Sequence, residues 1–108
     1  MSTDDTLLKI AETLESRKQA SPEDSYVARL YAGGLDAMLA KIREEAGETV
    51  EAGSGEPDHL VHEVADLWFH CLVLLAWREI GPQAVLDELE RRFGTSGLVE
   101  KAQRERSR

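Results

Sequence analysis

From Leu67 to Trp77 the chain reads LWFHCLVLLAW, apolar on every side except at His70. A helix made of such a stretch has no polar stripe to turn towards water and must be enclosed nearly all round. The chain has 108 residues, a length at which one domain buries somewhat under ~70% of its unfolded surface, so its remaining helices are too few to enclose that stretch alone. A second copy is the expected cover, and the sequence predicts a homodimer.

The rest of the pattern is helical too. Leu7, Ile10, Ala11 and Leu14 recur at helical spacing behind the capping candidates Thr3, Asp4 and Asp5, which predicts a first helix ending near Arg17 and Lys18. Gln19 to Asp24 reads as a connector, with Ser21 as a cap and Pro22 at a first helical position. A short helix with Tyr26, Val27, Leu30 and Tyr31 is expected to close at Gly33-Gly34, and a longer one with Leu35, Met38, Leu39, Ile42 and Ala46 on one face to stop at Gly53-Ser54-Gly55-Glu56-Pro57. Asp58 is the expected N-cap of the apolar helix. After Gly81-Pro82, a last helix places Val85, Leu86, Leu89 and Phe93 inward and the pairs Asp87/Arg91 and Glu88/Arg92 outward, closing at Gly94. The stretch from Thr95, ending QRERSR, reads as a frayed or flexible tail beyond a domain of residues 1–94. No strand pattern or internal repeat is visible. The fold class is all-α, four to five helices in a bundle completed by dimerisation.

Composition narrows the function classes. A net charge of −8 argues against nucleic acid or an anionic membrane as partner, since both select basic surfaces. The single cysteine, Cys71, excludes an internal disulfide framework and suggests a reducing compartment, hence a cytoplasmic protein. The N-terminal residues carry acid where a secretory signal carries base, and no uninterrupted apolar run reaches the ~18 residues of a membrane span.

Two acidic pairs, Glu45 with Glu48 and Glu63 with Asp66, flank the glycine-rich break. Residues three apart share a helix face, so a hairpin of the two helices can gather all four carboxylates. At ~6 Å and an effective dielectric of ~20 each close pair costs roughly 3 kcal/mol, a repulsion that a divalent cation reverses. Hard oxygen donors suit Mg²⁺ or Mn²⁺. Projection at 100° per residue sets Glu45 beside Met38 on the border of the apolar arc, with Lys41 and Glu48 a little further round, and turns Glu44 and Glu51 away. His59, Glu63, Asp66 and His70 form one stripe leading into Val73, Leu74 and Trp77. The spacing alone leaves a bland alternative equally open: a solvated helix edge at Glu45 and Glu48, and dipole-favouring first-turn acids at Glu63 and Asp66.

Four stretches in one register carry a family resemblance: SRKQASPEDSYVARLYAGG from Ser16, KIREEAGE from Lys41, HEVADLWFHCLVLLAW from His62 and VLDELERRFG from Val85. Together they resemble the phosphoribosyl-ATP pyrophosphohydrolases of histidine biosynthesis, within the MazG-like all-α nucleotide pyrophosphatases, whose shared signature is E-x-x-E followed by E-x-x-D. The resemblance implies that Glu45, Glu48, Glu63 and Asp66 bind Mg²⁺ and carry the catalysis. It implies that the substrate is phosphoribosyl-ATP, cleaved between the α and β phosphates to phosphoribosyl-AMP and pyrophosphate. Arg17, Lys18, Lys41 and Tyr26 follow as substrate or phosphate contacts, with helix-end charges, an ion pair from Lys41 to Glu45 or Glu48, and core packing by Tyr26 as their structural alternatives. Relatives often carry lysines at the positions of Ala37 and Ala40 and a glycine at that of Arg43, so this chain's basic surface is thinner or differently built. Arg91 and Arg92 read as i, i+4 surface charges with phosphate contact as their alternative, Ser25 as a cap with a place near the substrate as its alternative, and His70 as a hydrogen-bonded core or interface histidine. His59 and His62 lack a tetrahedral partner set for zinc with Cys71. Two other functions compete: a housecleaning nucleoside triphosphate pyrophosphatase with the same metal chemistry, and a non-catalytic helical dimer module.

Overall fold

A computed structural model describes residues 3–93 and 97–106. Among these the chain is five α-helices: α1 Thr3–Ser16, α2 Tyr26–Ala52, α3 Pro57–Trp77, α4 Pro82–Arg91 and α5 Gly97–Arg106. The all-α class stands. The expected closing glycine, Gly94, and the start of the tail at Thr95 lie outside the described residues, as do the side chains of Thr3 and Asp4. Where a frayed tail was expected, α5 is helical, with Lys101–Arg106 exposed.

Local chemistry moves several boundaries. α1 ends at Ser16, whose hydroxyl bonds back to the Thr13 carbonyl, and Arg17–Gln19 form a single tighter turn. Ser21 does not cap a helix: its hydroxyl accepts from the Glu23 amide inside a turn. The cap is Ser25, in extended conformation, whose hydroxyl accepts from the Ala28 amide at 3.1 Å. At the apolar helix Glu56 takes the cap position and Pro57 the first helical one, putting Asp58 in the first turn, where its charge meets the helix dipole.

The break expected at Gly33-Gly34 is present as a kink between the two helical stretches of α2. Gly34 sits at φ 81°, ψ −176° inside α2, a backbone conformation open essentially to glycine alone, and the helix resumes beyond it. After the link at residues 53–56, α3 returns along α2, and this hairpin is the frame of the molecule. Leu14 of α1, Val27, Leu30 and Met38 of α2, and Val73 of α3 form the buried core, with Ile10, Tyr31, Phe69, Leu72 and Ala76 against it. Each fully buried aliphatic side chain there contributes ~1.5–3 kcal/mol. Tyr31 adds a tie between helices by donating its hydroxyl proton to the Leu14 carbonyl at 2.9 Å.

α3 ends in a Schellman arrangement, with the Ile80 amide donating to the Leu75 carbonyl at 2.8 Å and the Glu79 amide to the Ala76 carbonyl at 3.0 Å. The residue in the left-handed position is not glycine but Glu79, at φ 60°. Relief of its Cβ crowding makes Glu79→Gly a stabilising change of up to about 1 kcal/mol, measured as a rise in the urea midpoint.

A single chain leaves the apolar helix uncovered. On α3 only Glu63, His70 and Val73 are buried, while Trp68 is 60% exposed. The expected inward face of α4 is open as well: Val85 and Leu89 are exposed, and Phe93 is 86% exposed. By length and mean hydropathy, 1.4 over its most apolar window, α3 is long and apolar enough to cross a membrane, although charged residues interrupt its apolar run. Glu63 and Asp66, which turn towards carboxylates of α2, make it instead an arm of the hairpin.

Candidate active site

Glu45 and Glu48 lie in the second half of α2, and Glu63 and Asp66 in the first half of α3, so the hairpin sets them opposite one another. Glu45 and Glu63 are 7% and 8% exposed, and in each the Oε2 atom is buried without a hydrogen-bond partner. This sets Glu45 and Glu63 apart from solvated edge residues. Solvated edge residues do not bury orphaned carboxylate oxygens, because desolvation without a partner is costly.

Glu48, half-buried, is the link between the pair. It lies within hydrogen-bonding reach of both Glu45 and Glu63. Burial, then the Glu48 carboxylate, then the Asp66 charge raise the Glu45 carboxyl above its ordinary value, with His70 opposing. Burial and Glu48 raise Glu63 likewise, opposed by His59 and His62. On α3, His59 Nδ1 lies 3.9 Å from Glu63 Oε1, and His62 Nε2 lies 3.3 Å from Asp66 Oδ2. Donor atoms of His62, Glu63 and Asp66 fall within 4.8 Å of one another, as do those of Glu44, Glu45 and Glu48. Glu44, placed away from the site by projection, therefore reaches its rim, although it remains exposed. Two unpartnered buried oxygens inside an oxygen-rich set fit a hard divalent cation.

These shifts give the metal-free protein a definite pH dependence. A carboxyl whose folded pKa is raised binds its proton more tightly in the folded than in the unfolded chain. Its stabilising effect is complete below the ordinary value of 4.5 and is lost as pH rises through the folded value. Glu88, lowered to about 2 by Arg91 and Arg92, acts in the opposite sense and only at lower pH. Melting in chelator is therefore expected to fall as pH rises above 4.5, with Glu45→Gln flattening the fall.

The cations divide. Lys41 Nζ is 3.4 Å from Glu44, not from Glu45 or Glu48. Its pKa is raised by the neighbouring Tyr26 first, then by Glu44 and Glu45. Arg17 and Lys18 line a separate concavity of about 270 Å³ with Ala20, Pro22, Ala28, Tyr31 and Ala32, and Lys18 pairs with Glu15 at 3.1 Å. Among the described residues no hydrogen bond or ion pair joins either of them to the four acids. Arg91 and Arg92 both pair with Glu88, while Asp87 accepts from Gln83.

Tyr26 is not a core residue. It is 46% exposed, and its hydroxyl lies 3.1 Å from His70 Nε2. His70 is buried and hydrogen-bonded at both nitrogens, as expected of it.

Thr49 is a participant that sequence reasoning missed. Its hydroxyl lies 2.8 Å from the Glu45 carbonyl and 3.3 Å from the Glu63 carbonyl, so one proton is shared between the two acid-bearing helices at the level of the buried acids. The first bond is an ordinary back-bond within a helix, whereas the second exists only because the hairpin closes.

The helical hairpin faces E-x-x-E of α2 with E-x-x-D of α3, the arrangement expected from the sequence. The sequence profile of the phosphoribosyl-ATP pyrophosphohydrolases matches residues 7–93. The phosphoribosyl-ATP pyrophosphatase of Methylococcus capsulatus is 60% identical over 101 residues, covering 93% of this chain and 96% of its own. That of Burkholderia vietnamiensis is 54% identical over 110 residues, covering 97% and 91%. The chain belongs to the phosphoribosyl-ATP pyrophosphohydrolase family, and it is a hydrolase.

Proposed function

We propose that this chain hydrolyses the α-β phosphoanhydride of phosphoribosyl-ATP to phosphoribosyl-AMP and pyrophosphate, the second step of L-histidine biosynthesis, in the cytoplasm. The observation that carries the reading is the pair of buried, unpartnered carboxylate oxygens, Glu45 Oε2 and Glu63 Oε2, on facing helices of a chain in this family. Glu45, Glu48, Glu63 and Asp66 would hold Mg²⁺, or Mn²⁺ in its place. When bound, the cation supplies charge neutralisation at the phosphate oxygens and a more acidic coordinated water.

The chain's own groups do the rest. Glu48, between Glu45 and Glu63 and half-open to solvent, is the carboxylate best placed to take a proton from an attacking water. Lys41, on the Tyr26 side of the acids, offers an ammonium to a phosphate oxygen. Arg17 and Lys18 bring further positive charge at their own concavity. Pyrophosphate release from phosphoribosyl-ATP and from ordinary nucleoside triphosphates, with and without Mg²⁺, tests the reading. Metal-dependent turnover of phosphoribosyl-ATP supports it. Preference for ordinary triphosphates points to a housecleaning enzyme, and no turnover of any of them to an interaction module.

We also propose a homodimer built on α3 and α4. An apolar groove of about 320 Å³, lined by Leu7, Trp68, Cys71, Leu72, Val85 and Leu89 among others, lies open on this face. The radius of gyration is 16.1 Å, against about 13 Å for a compact domain of this length. A charge placed in the groove by Trp68→Glu is expected to shift the sedimenting species from dimer to monomer.

A further inference from the structure

His70, 7% exposed, uses both ring nitrogens: Nδ1 lies 2.8 Å from the Asp66 carbonyl oxygen and Nε2 lies 3.1 Å from the Tyr26 hydroxyl. A carbonyl oxygen only accepts, so Nδ1 carries the proton of the neutral ring. With the ring in that form Nε2 is an acceptor, and Tyr26 donates its one hydroxyl proton to it. The ring is gripped from two sides, edge-on to Phe69 at 5.4 Å and to Tyr26 at 6.1 Å between centroids. Tyr26 is the first residue of α2, a half-exposed position where an aromatic side chain would otherwise turn freely.

Two consequences follow. The phenol is held in place, two hydrogen bonds from the Asp66 main-chain carbonyl. Its oxygen, with the proton committed inward, offers only lone pairs outward. An acceptor-only oxygen is a poor partner for phosphate and a good one for a hydroxyl or amino group. We infer that His70 is a positioning residue, which holds Tyr26 so that its ring and acceptor oxygen receive the nucleoside part of the substrate, a ribose hydroxyl or the base amino group, and not the phosphates. This rests on the proposed nucleotide hydrolysis and narrows the expected substrate or phosphate contact of Tyr26 to a nucleoside contact.

The test is steady-state kinetics at saturating Mg²⁺ on the wild type, Tyr26→Phe, His70→Phe and the double variant, together with inhibition by pyrophosphate. The expected result is a KM for phosphoribosyl-ATP raised roughly fivefold in each single variant, the loss of one ordinary hydrogen bond, and no further in the double. The kcat and the inhibition constant of pyrophosphate stay near wild type. Long-range proton–nitrogen spectra add a readout free of turnover: His70 in the Nδ1–H form, with its Nε2 resonance displaced in Tyr26→Phe. That arm and the Tyr26→Phe kinetics stand even where His70→Phe fails to fold. Additive KM effects, weakened pyrophosphate inhibition, or an Nε2–H tautomer overturns the assignment. Absence of wild-type turnover instead overturns the functional reading beneath it.

Discussion

Glu63→Gln is expected to abolish pyrophosphate release, by at least about 100-fold, and at the same time to raise the melting temperature of the metal-free protein. The two effects share a cause. Glu63 is 8% exposed with Oε2 unpartnered, so its negative charge is useful only when a cation is present and unfavourable otherwise. Glutamine keeps the shape and removes the charge. The gain in melting temperature should be largest at neutral pH and vanish near pH 4.5 and below, where the native carboxyl is already protonated. Glu44→Gln is the control: it is exposed and its partner is Lys41 at 3.4 Å, an ion pair of a kind that is worth little, so activity should stay within about fivefold of wild type. Rate measurements with Mg²⁺ and thermal melts in chelator on the two variants decide the matter. Equal loss of activity in both would show that the acids are wrongly assigned, and a lower melting temperature for Glu63→Gln would show that a protein cation already neutralises its carboxylate.

Gly34→Ala is expected to destabilise the fold by about 1–3 kcal/mol, because φ 81° with ψ −176° admits a Cβ only under strain. For a domain of this size that is a fall of roughly 4–8 °C in melting temperature per kcal/mol. Space is not the issue, since a Cβ at Gly34 would meet nothing within 4 Å. Relief of the strain requires α2 to straighten, which would carry Tyr26 away from His70 and the N-terminal turns of α2 away from α3. Loss of activity should accompany loss of stability. Gly47→Ala separates the backbone effect from side-chain size: Gly47 is helical and its Cβ also meets nothing within 4 Å, so alanine there should add ~0.5–1 kcal/mol of stability. Urea titrations of both variants measure the difference.

The sequence made the four acids legible because helical spacing is local: three residues apart is one face in any helix, and the border position of Glu45 followed from its register with Met38. It also separated His70, with its apolar neighbours, from the metal donors. Projection placed Glu44 less well, since it fixes the direction of the Cα–Cβ bond and not where a long flexible carboxylate ends. Its alternative for Lys41 was an ion pair with Glu45 or Glu48, whereas the Nζ is found beside Glu44. It left core packing open as the alternative for Tyr26, yet the first residue of a capped helix stays near the surface, and a hydroxyl partner 44 positions away is invisible to any window.

Periodicity, glycine and proline punctuation, and charge thus determined the helices, the paired carboxylates and the excess of apolar surface on α3 and α4, because each depends on residues near in sequence. Only the tertiary structure decided that Glu45 and Glu63 are buried with orphaned oxygens, that Glu48 links them, and that Thr49 and His70 tie α2 to α3. Those relations depend on how far the hairpin closes and on the bend at Gly34, which are set by packing between distant segments and not by the propensities of either one.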